Sequence, residues 1–269
     1  LPAEIAAAQS AAGVKKVSYP FGKTTVLAIL AGMLIAFAAA ASATAAHSVP
    51  NEGLARLTTA AIFAFGLGMV VLIGAELFTG SCLITASVLD KRVALGTMLK
   101  NWAFVYLGNF IGSIAVAAGC AFFGQYRYSA GGLAVSTIKT AAAKCALPFE
   151  NALVLGIFCN VLVCLGVLLA LSAKDTGGKI IGAYLPVFFF VVSGFEHSVA
   201  NMYYIPAGLF ALQNPVYAQL AAAAGADVSL LTWGNFVFRN LLPVTLGNII
   251  GGAALGVLLW YCFLRKKEA

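Results

Sequence analysis

The sequence predicts an all-α polytopic membrane protein of six membrane segments, arranged as two inverted repeats of three, with the second and fifth segments broken. Three observations carry this. Sixty-two per cent of residues are hydrophobic and nine per cent charged, far from the balance of a soluble domain. Long chargeless runs recur, each exceeding the ~20 residues that a bilayer-spanning helix needs. Two of the apolar segments carry a glutamate and other polar residues at matching positions.

In chain order, the Ala-rich start up to Lys15 and Lys16 reads as an interfacial helix lying on the membrane. The chain begins at Leu1 with neither an initiator Met nor a signal-peptide plan, as expected of a trimmed terminus. Thr24–Ala46 is the first span. Leu57–Ala75 is long enough to be the second, but Glu76-Leu77-Phe78-Thr79-Gly80-Ser81 interrupts it before Cys82–Leu89 resumes. Asn101–Gly124 is the third span and 147–173 the fourth. Ile180–Phe195 is too short to cross alone, and Glu196-His197 breaks a fifth segment over 180–212. The sixth covers 237–264. Gly, Ala and Ser in these runs suit close helix packing in lipid, and the period-two alternation of a barrel strand is missing.

The halves are related. "KNWAFVYLGNFIG" at 100–112 aligns without gaps on "RNLLPVTLGNIIG" at 239–251, with seven identities in thirteen positions and an offset of 139. Both broken segments carry Gly-x-Glu, as Gly74-Ala-Glu76 and Gly194-Phe-Glu196, each second in its half. A repeat of three spans, about 24–124 and 147–264 within one channel domain over 1–269, must enter the membrane from opposite sides. Broken helices at corresponding places of two inverted halves point to a binding or permeation site near the midplane. Irregular backbone at that depth is tolerated only beside protein or a water-lined cavity.

Charge sets the orientation. With both termini cytoplasmic, the inside holds Lys15, Lys16, Lys23, Lys91, Arg92, Lys100, Lys174, Lys179, Arg265, Lys266 and Lys267. The outside holds Arg56, Arg127, Lys139, Lys144 and Arg239, so eleven against five favours termini inside. The net charge of +7 belongs to these flanks; no basic patch with interleaved aromatics points to nucleic acid. The six cysteines form no CxxC pair and read as packing, with no metal site. No P-loop or Rossmann glycine pattern is present, and no catalytic residues or cofactor are expected.

The polar residues within the spans are the candidate site. His197 at the second break and Thr79 at the first converge on one axis and read as pore-lining, against a packing histidine. Glu76 and Glu196 each precede a helix half, where a carboxylate can accept orphan backbone N–H groups, so a capping role is expected. Asn160 and the Gly-Asn pair Asn109 and Asn248 are either interhelical glue or pore donors. Phe63, Leu67 and Phe190 are core or a hydrophobic gate, which periodicity does not separate. Lys144 is a solvated flank or an anion-attracting residue of a vestibule.

The stretches "GAELFTGSCLI" (74–84), "KNWAFVYLGNFIGS" (100–113), "GIFCNVLVCLGV" (156–167), "GFEHSVANMYYIPAG" (194–208) and "NLLPVTLGNIIGG" (240–252) resemble the formate/nitrite transporter family. The resemblance touches five of the six spans, and it is closest to the family's hydrosulfide-conducting branch. It implies an aquaporin-like six-helix fold, a homopentamer with a pore in each protomer, and conduction of formate, nitrite or hydrosulfide across a bacterial cytoplasmic membrane. It implies Thr79 and His197 as the central pair, Leu77, Phe78 and Thr79 on a mobile loop whose Leu77 and Phe78 belong to the gate, and Phe63, Leu67 and Phe190 as two constrictions. It makes Lys144 the outer basic residue, and Asn160 and Asn248 pore-lining amides. Gly80-Ser81 stands where formate channels commonly have Ser-Thr. A proton-coupled weak-acid carrier is the alternative to a passive channel. A water channel lacks support because Asn214-Pro215-Val216 occurs once and outside the spans.

Overall fold

The computed structural model describes residues 2–265, among which every regular element is helical. Lys266 and Lys267 of the charge count lie outside these residues. The chain runs through α1 (Pro2–Val17), α2 (Phe21–Ala46), α3 (Glu52–Ile73), α4 (Phe78–Leu89), α5 (Leu95–Phe122) and α6 (Gly132–Ala146). It continues through α7 (Phe149–Ser172), α8 (Thr176–Val192), α9 (Ser198–Ala211), α10 (Pro215–Ala223) and α11 (Trp233–Leu264). Among the described residues five helices, α2, α3, α5, α7 and α11, are long and apolar enough to cross a membrane. The expected fifth segment is two shorter helices, α8 and α9, meeting at the second break.

Both breaks are built alike. Gly74 and Gly194 each have φ of +73°, the left-handed conformation that favours glycine. At the first, Gly74 N–H bonds Val71 O and Ala75 N–H bonds Val70 O; at the second, Gly194 N–H bonds Val191 O and Phe195 N–H bonds Phe190 O. This pairing of short and long bonds around a left-handed residue satisfies the last carbonyls and stops a helix cleanly. The chain then runs extended before α4 and α9 begin, through Leu77 at φ −107° and His197 at φ −112°. Glu76 N–H bonds Leu27 O and Glu196 N–H bonds Leu155 O, so each break leans on a neighbouring long helix.

The long helices pair as α2 with α5 and α7 with α11. Tyr106 on α5 and Thr245 on α11 meet at 2.8 Å between hydroxyls, and they are 139 residues apart, the offset of the sequence repeat. Near its start α11 opens into a π-type turn over Phe236–Leu241. Pro243 explains it, since a proline removes one N–H and crowds the carbonyl four residues back.

α1 is packed against the helices. It packs onto the 84–89 end of α4 and the C-terminal end of α11 and buries Ala6, Gln9, Ser10 and Gly13. Ser10 donates to Asp90 Oδ2 at 2.7 Å, and Ser87 donates to Ser10 O at 3.0 Å. These contacts fasten it to the protein beneath the first break.

Candidate functional site

The helix halves that restart after each break present orphan N–H groups in buried surroundings, where an unpaired donor costs ~1–3 kcal/mol. Two asparagines meet them. Asn109 Oδ1 accepts from Phe78 N–H at 2.9 Å, while its Nδ2 donates to Ala28 O and Glu76 O. Asn248 Oδ1 accepts from Ser198 N–H at 2.9 Å, and its Nδ2 donates to Gly156 O and Glu196 O. The capping expected of Glu76 and Glu196 is therefore corrected: amides on the facing helices cap the restarts, because an amide offers donor and acceptor together and carries no charge to be desolvated. Asn248 and Asn160 both tie helices together: both are fully buried, and Asn160 Nδ2 donates to Thr79 O and Asn248 O, linking α7 to both α4 and α11.

Thr79 and His197 do meet, at 3.0 Å between Oγ1 and Nε2. Nδ1 of the same ring accepts from Ala200 N–H at 3.1 Å and so caps α9. A backbone donor on Nδ1 leaves the proton on Nε2 in the neutral ring. Nε2–H then donates to Thr79, whose own hydroxyl proton is free for a third partner. The imidazole stacks on Phe190, with ring centroids 5.8 Å apart and planes 18° from parallel.

Each glutamate holds a lysine. Lys144 Nζ lies 2.7 Å from Glu196 Oε1, and Lys16 Nζ lies 2.9 Å from both Glu76 oxygens. Lys144 is thus no solvated flank; its side chain is 17% exposed. Lys16 escaped the sequence reading, being 60 residues from its partner. The signal available was that a carboxylate buried in a membrane needs a cation. The two pairs differ in support. Glu196 Oε2 also accepts from Asn201 at 2.6 Å and Asn240 at 3.4 Å, whereas among the described residues the Glu76 carboxylate is hydrogen-bonded by Lys16 alone. Lys16→Met is accordingly expected to lower the thermal midpoint of the purified protein more than Lys144→Met. The former strands a buried charge, a loss of roughly 3–5 kcal/mol where the partner is removed. Equal midpoints in the two variants would refute the difference.

A cavity of about 500 Å³ is lined by His47, Arg56, Lys144, Glu196 and Tyr204 and reaches His197. A second chamber of about 10 Å³ lies against Leu67, Leu77, Phe63, Phe190 and His197. Its volume suits roughly one water molecule. Phe63, Phe190 and His197 line both spaces, with the two phenyl rings edge to face at 6.0 Å. Phe78 is elsewhere: it packs between Trp102 and Tyr106, at 6.2 and 4.8 Å, and borders neither space. Its assignment to the gate is corrected, since the helical turn at 78–81 carries it toward α5.

Apolar helices of spanning length around two broken ones, with a polar pair at their meeting point, define a multi-pass membrane transport protein. The chain belongs to the formate/nitrite transporter family, whose profile matches residues 3–262. It is 37% identical to a probable formate transporter of Methanothermobacter thermautotrophicus, over 98% of this chain and 97% of that protein. It is likewise 37% identical to formate channel FocA of Escherichia coli (strain K12), over 100% of this chain and 96% of that one. Among solved structures, it resembles a pentameric formate channel with formate bound at a TM-score of 0.78 and 33% identity, covering 91% of this chain and 98% of the other. It also resembles an FNT family ion channel at a TM-score of 0.81 and 26% identity, covering 96% and 98%.

Proposed function

We propose that the chain is a passive channel for small monovalent anions in a bacterial cytoplasmic membrane, with formate foremost and nitrite and hydrosulfide in the same class. One observation carries this reading: the cavity that passes Lys144 and reaches His197 shares a wall of Phe63, Phe190 and His197 with a chamber of about 10 Å³. Only a small solute that sheds water fits. The formate channels among the relatives, and the formate held by the pentameric neighbour, support both the substrate and a homopentamer.

In this reading Lys144 draws the anion into an outer vestibule, and the free hydroxyl proton of Thr79, oriented by His197, is its next donor. Phe63, Leu67, Leu77 and Phe190 form the constriction. The apolar wall of the chamber favours one alternative, proton-coupled passage as the neutral acid, because a bare charge in hydrocarbon costs several kcal/mol. Liposome flux of formate, nitrite, hydrosulfide, water and ammonium, with internal pH followed alongside, tests both. Formate should pass with a rate that salt reduces, since screening shortens the reach of Lys144 to ~10 Å at 0.1 M. Water or ammonium flux without anion flux would refute the proposal, and proton movement matched to formate would select the carrier.

The two halves are proposed to be inverted repeats with both termini cytoplasmic. The like geometry of the two breaks and of the Asn109 and Asn248 networks supports this. Lys100 and Arg239 then hold corresponding positions on opposite faces. Cysteines placed there, in a background free of native cysteines, should be labelled from outside at 239 and not at 100. Labelling of both from one side would sink the inversion.

A further inference from the structure

The two lysine–glutamate pairs are not equivalent, and the difference lies in what each partner has to fall back on. Lys16 grips both oxygens of Glu76, and neither group has a second partner of its strength among the described residues. At the outer pair, Lys144 touches only Oε1, while Asn201 and Asn240 hold Oε2. Glu196 therefore remains hydrogen-bonded when Lys144 leaves. The lysine has its own alternative, because the Tyr204 ring faces Nζ with its centroid 5.5 Å away. That distance lies within the ~6 Å over which a ring quadrupole attracts an ammonium. The ring is anchored from the far side, with the Tyr204 hydroxyl 3.5 Å from Ser42 Oγ on α2. Lys144 is itself fixed at the backbone, its carbonyl accepting from Asn240 Nδ2 at 3.0 Å. Only the side chain is left to swing.

The cavity puts these groups where an anion would arrive. Tyr204, Lys144, Glu196 and Asn201 all line it, together with Arg56, whose guanidinium is occupied by Glu52 at 3.1 Å. An ammonium locked to a carboxylate is electrically silent toward an anion; one shared with a ring face keeps its charge available. Desolvated cation–ring contacts are also the stronger ones.

We propose that Tyr204 is a positioning residue for anion capture. Its ring face holds the Lys144 ammonium when the ammonium gives up Glu196 for a small carboxylate or similarly sized monovalent anion. Lys144 is then the exchangeable cation, and Lys16 a clamp that fastens α1 to the first break. The proposal rests on the channel reading and deepens it at the outer vestibule.

The test substitutes Tyr204 with phenylalanine and then with mono-, di- and trifluorinated phenylalanines, which weaken the ring quadrupole while nearly preserving shape. Phenylalanine is the reference, and the four side chains differ little in shape. Two quantities are read in the full-length protein: half-saturation of formate flux in liposomes, and the formate-dependent rise of the thermal midpoint in detergent. The second reports binding whether or not the ion crosses. Half-saturation should climb with each fluorine to about tenfold across the series, with maximal flux held within about twofold, and binding should weaken in step. A flat series in both measurements, with wild-type flux intact, overturns the role of Tyr204 and leaves the channel standing. Absent wild-type flux with a graded binding series overturns the channel and keeps the tyrosine. A wild-type protein whose midpoint formate never moves overturns the tyrosine proposal outright.

Discussion

Replacing Asn248 by leucine is expected to abolish the assembled protein. Leucine nearly matches asparagine in shape, so the loss isolates the amide. Two buried backbone groups would lose their partner together, Ser198 N–H and Glu196 O, while Gly156 O, bonded within its own helix, would lose a second donor. At ~1–3 kcal/mol for each unsatisfied group, the penalty is about 4 kcal/mol, a large fraction of the whole stability of many domains. Asn109→Leu should cost a similar amount at the first break, where Phe78 N–H and Glu76 O depend on it and the helical Ala28 O takes a second bond from it. Asn248→Asp should be intermediate or worse, since it keeps an acceptor for Ser198 but turns oxygen toward two carbonyls. Size-exclusion profiles and thermal midpoints in detergent report the outcome. A Leu variant that elutes and melts like the wild type would show that the second restart is capped some other way.

The spans were legible because a bilayer imposes a length, and the breaks because glutamate in hydrocarbon is so costly that it marks a departure from helix. What each polar residue does once there was not legible. Gly-Asn at 108–109 and 247–248 identified corresponding positions, but only coordinates decide whether an asparagine faces a cavity or the backbone of a restarting helix. Glutamate and asparagine consequently exchanged roles: the amides cap and the carboxylates bind lysine. Phe78 and Leu77 are neighbours in sequence, yet one packs against Trp102 and the other borders the small chamber. A change of direction within a single helical turn leaves no periodic signal. Lys16 was hidden by distance along the chain, and Tyr204 by its surroundings, since "NMYYIP" reads as an ordinary apolar helix.

His197→Asn should leave the protein assembled and change what it conducts. Asparagine is among the best N-cap residues, so its side-chain oxygen can take over the Ala200 N–H that Nδ1 now accepts. Two things are lost: the Nε2–H that engages Thr79, and the ring stacked on Phe190 at the entrance to the small chamber. Without the first, Thr79 loses the donor that orients its hydroxyl. Without the second, the constriction loses a wall. Formate flux is expected to fall at least ~10-fold, equivalent to ~1.4 kcal/mol in the barrier, and the preference for formate over nitrate should shrink. Acid titration separates this from a packing role. Protonating His197 at Nδ1 must break the Ala200 bond and charge the ring, so wild-type flux should change through a protonation step that the asparagine variant lacks. Thr79→Val should mimic the loss of flux and Thr79→Ser should spare most of it. A packing histidine predicts the reverse pattern, with lowered midpoint or lost oligomer and unaltered ion preference in the protein that survives. An assembled His197→Asn channel with the wild-type pH profile and the wild-type formate-to-nitrate ratio would remove His197 from the conduction mechanism and leave Phe63, Phe190 and Lys144 to account for it.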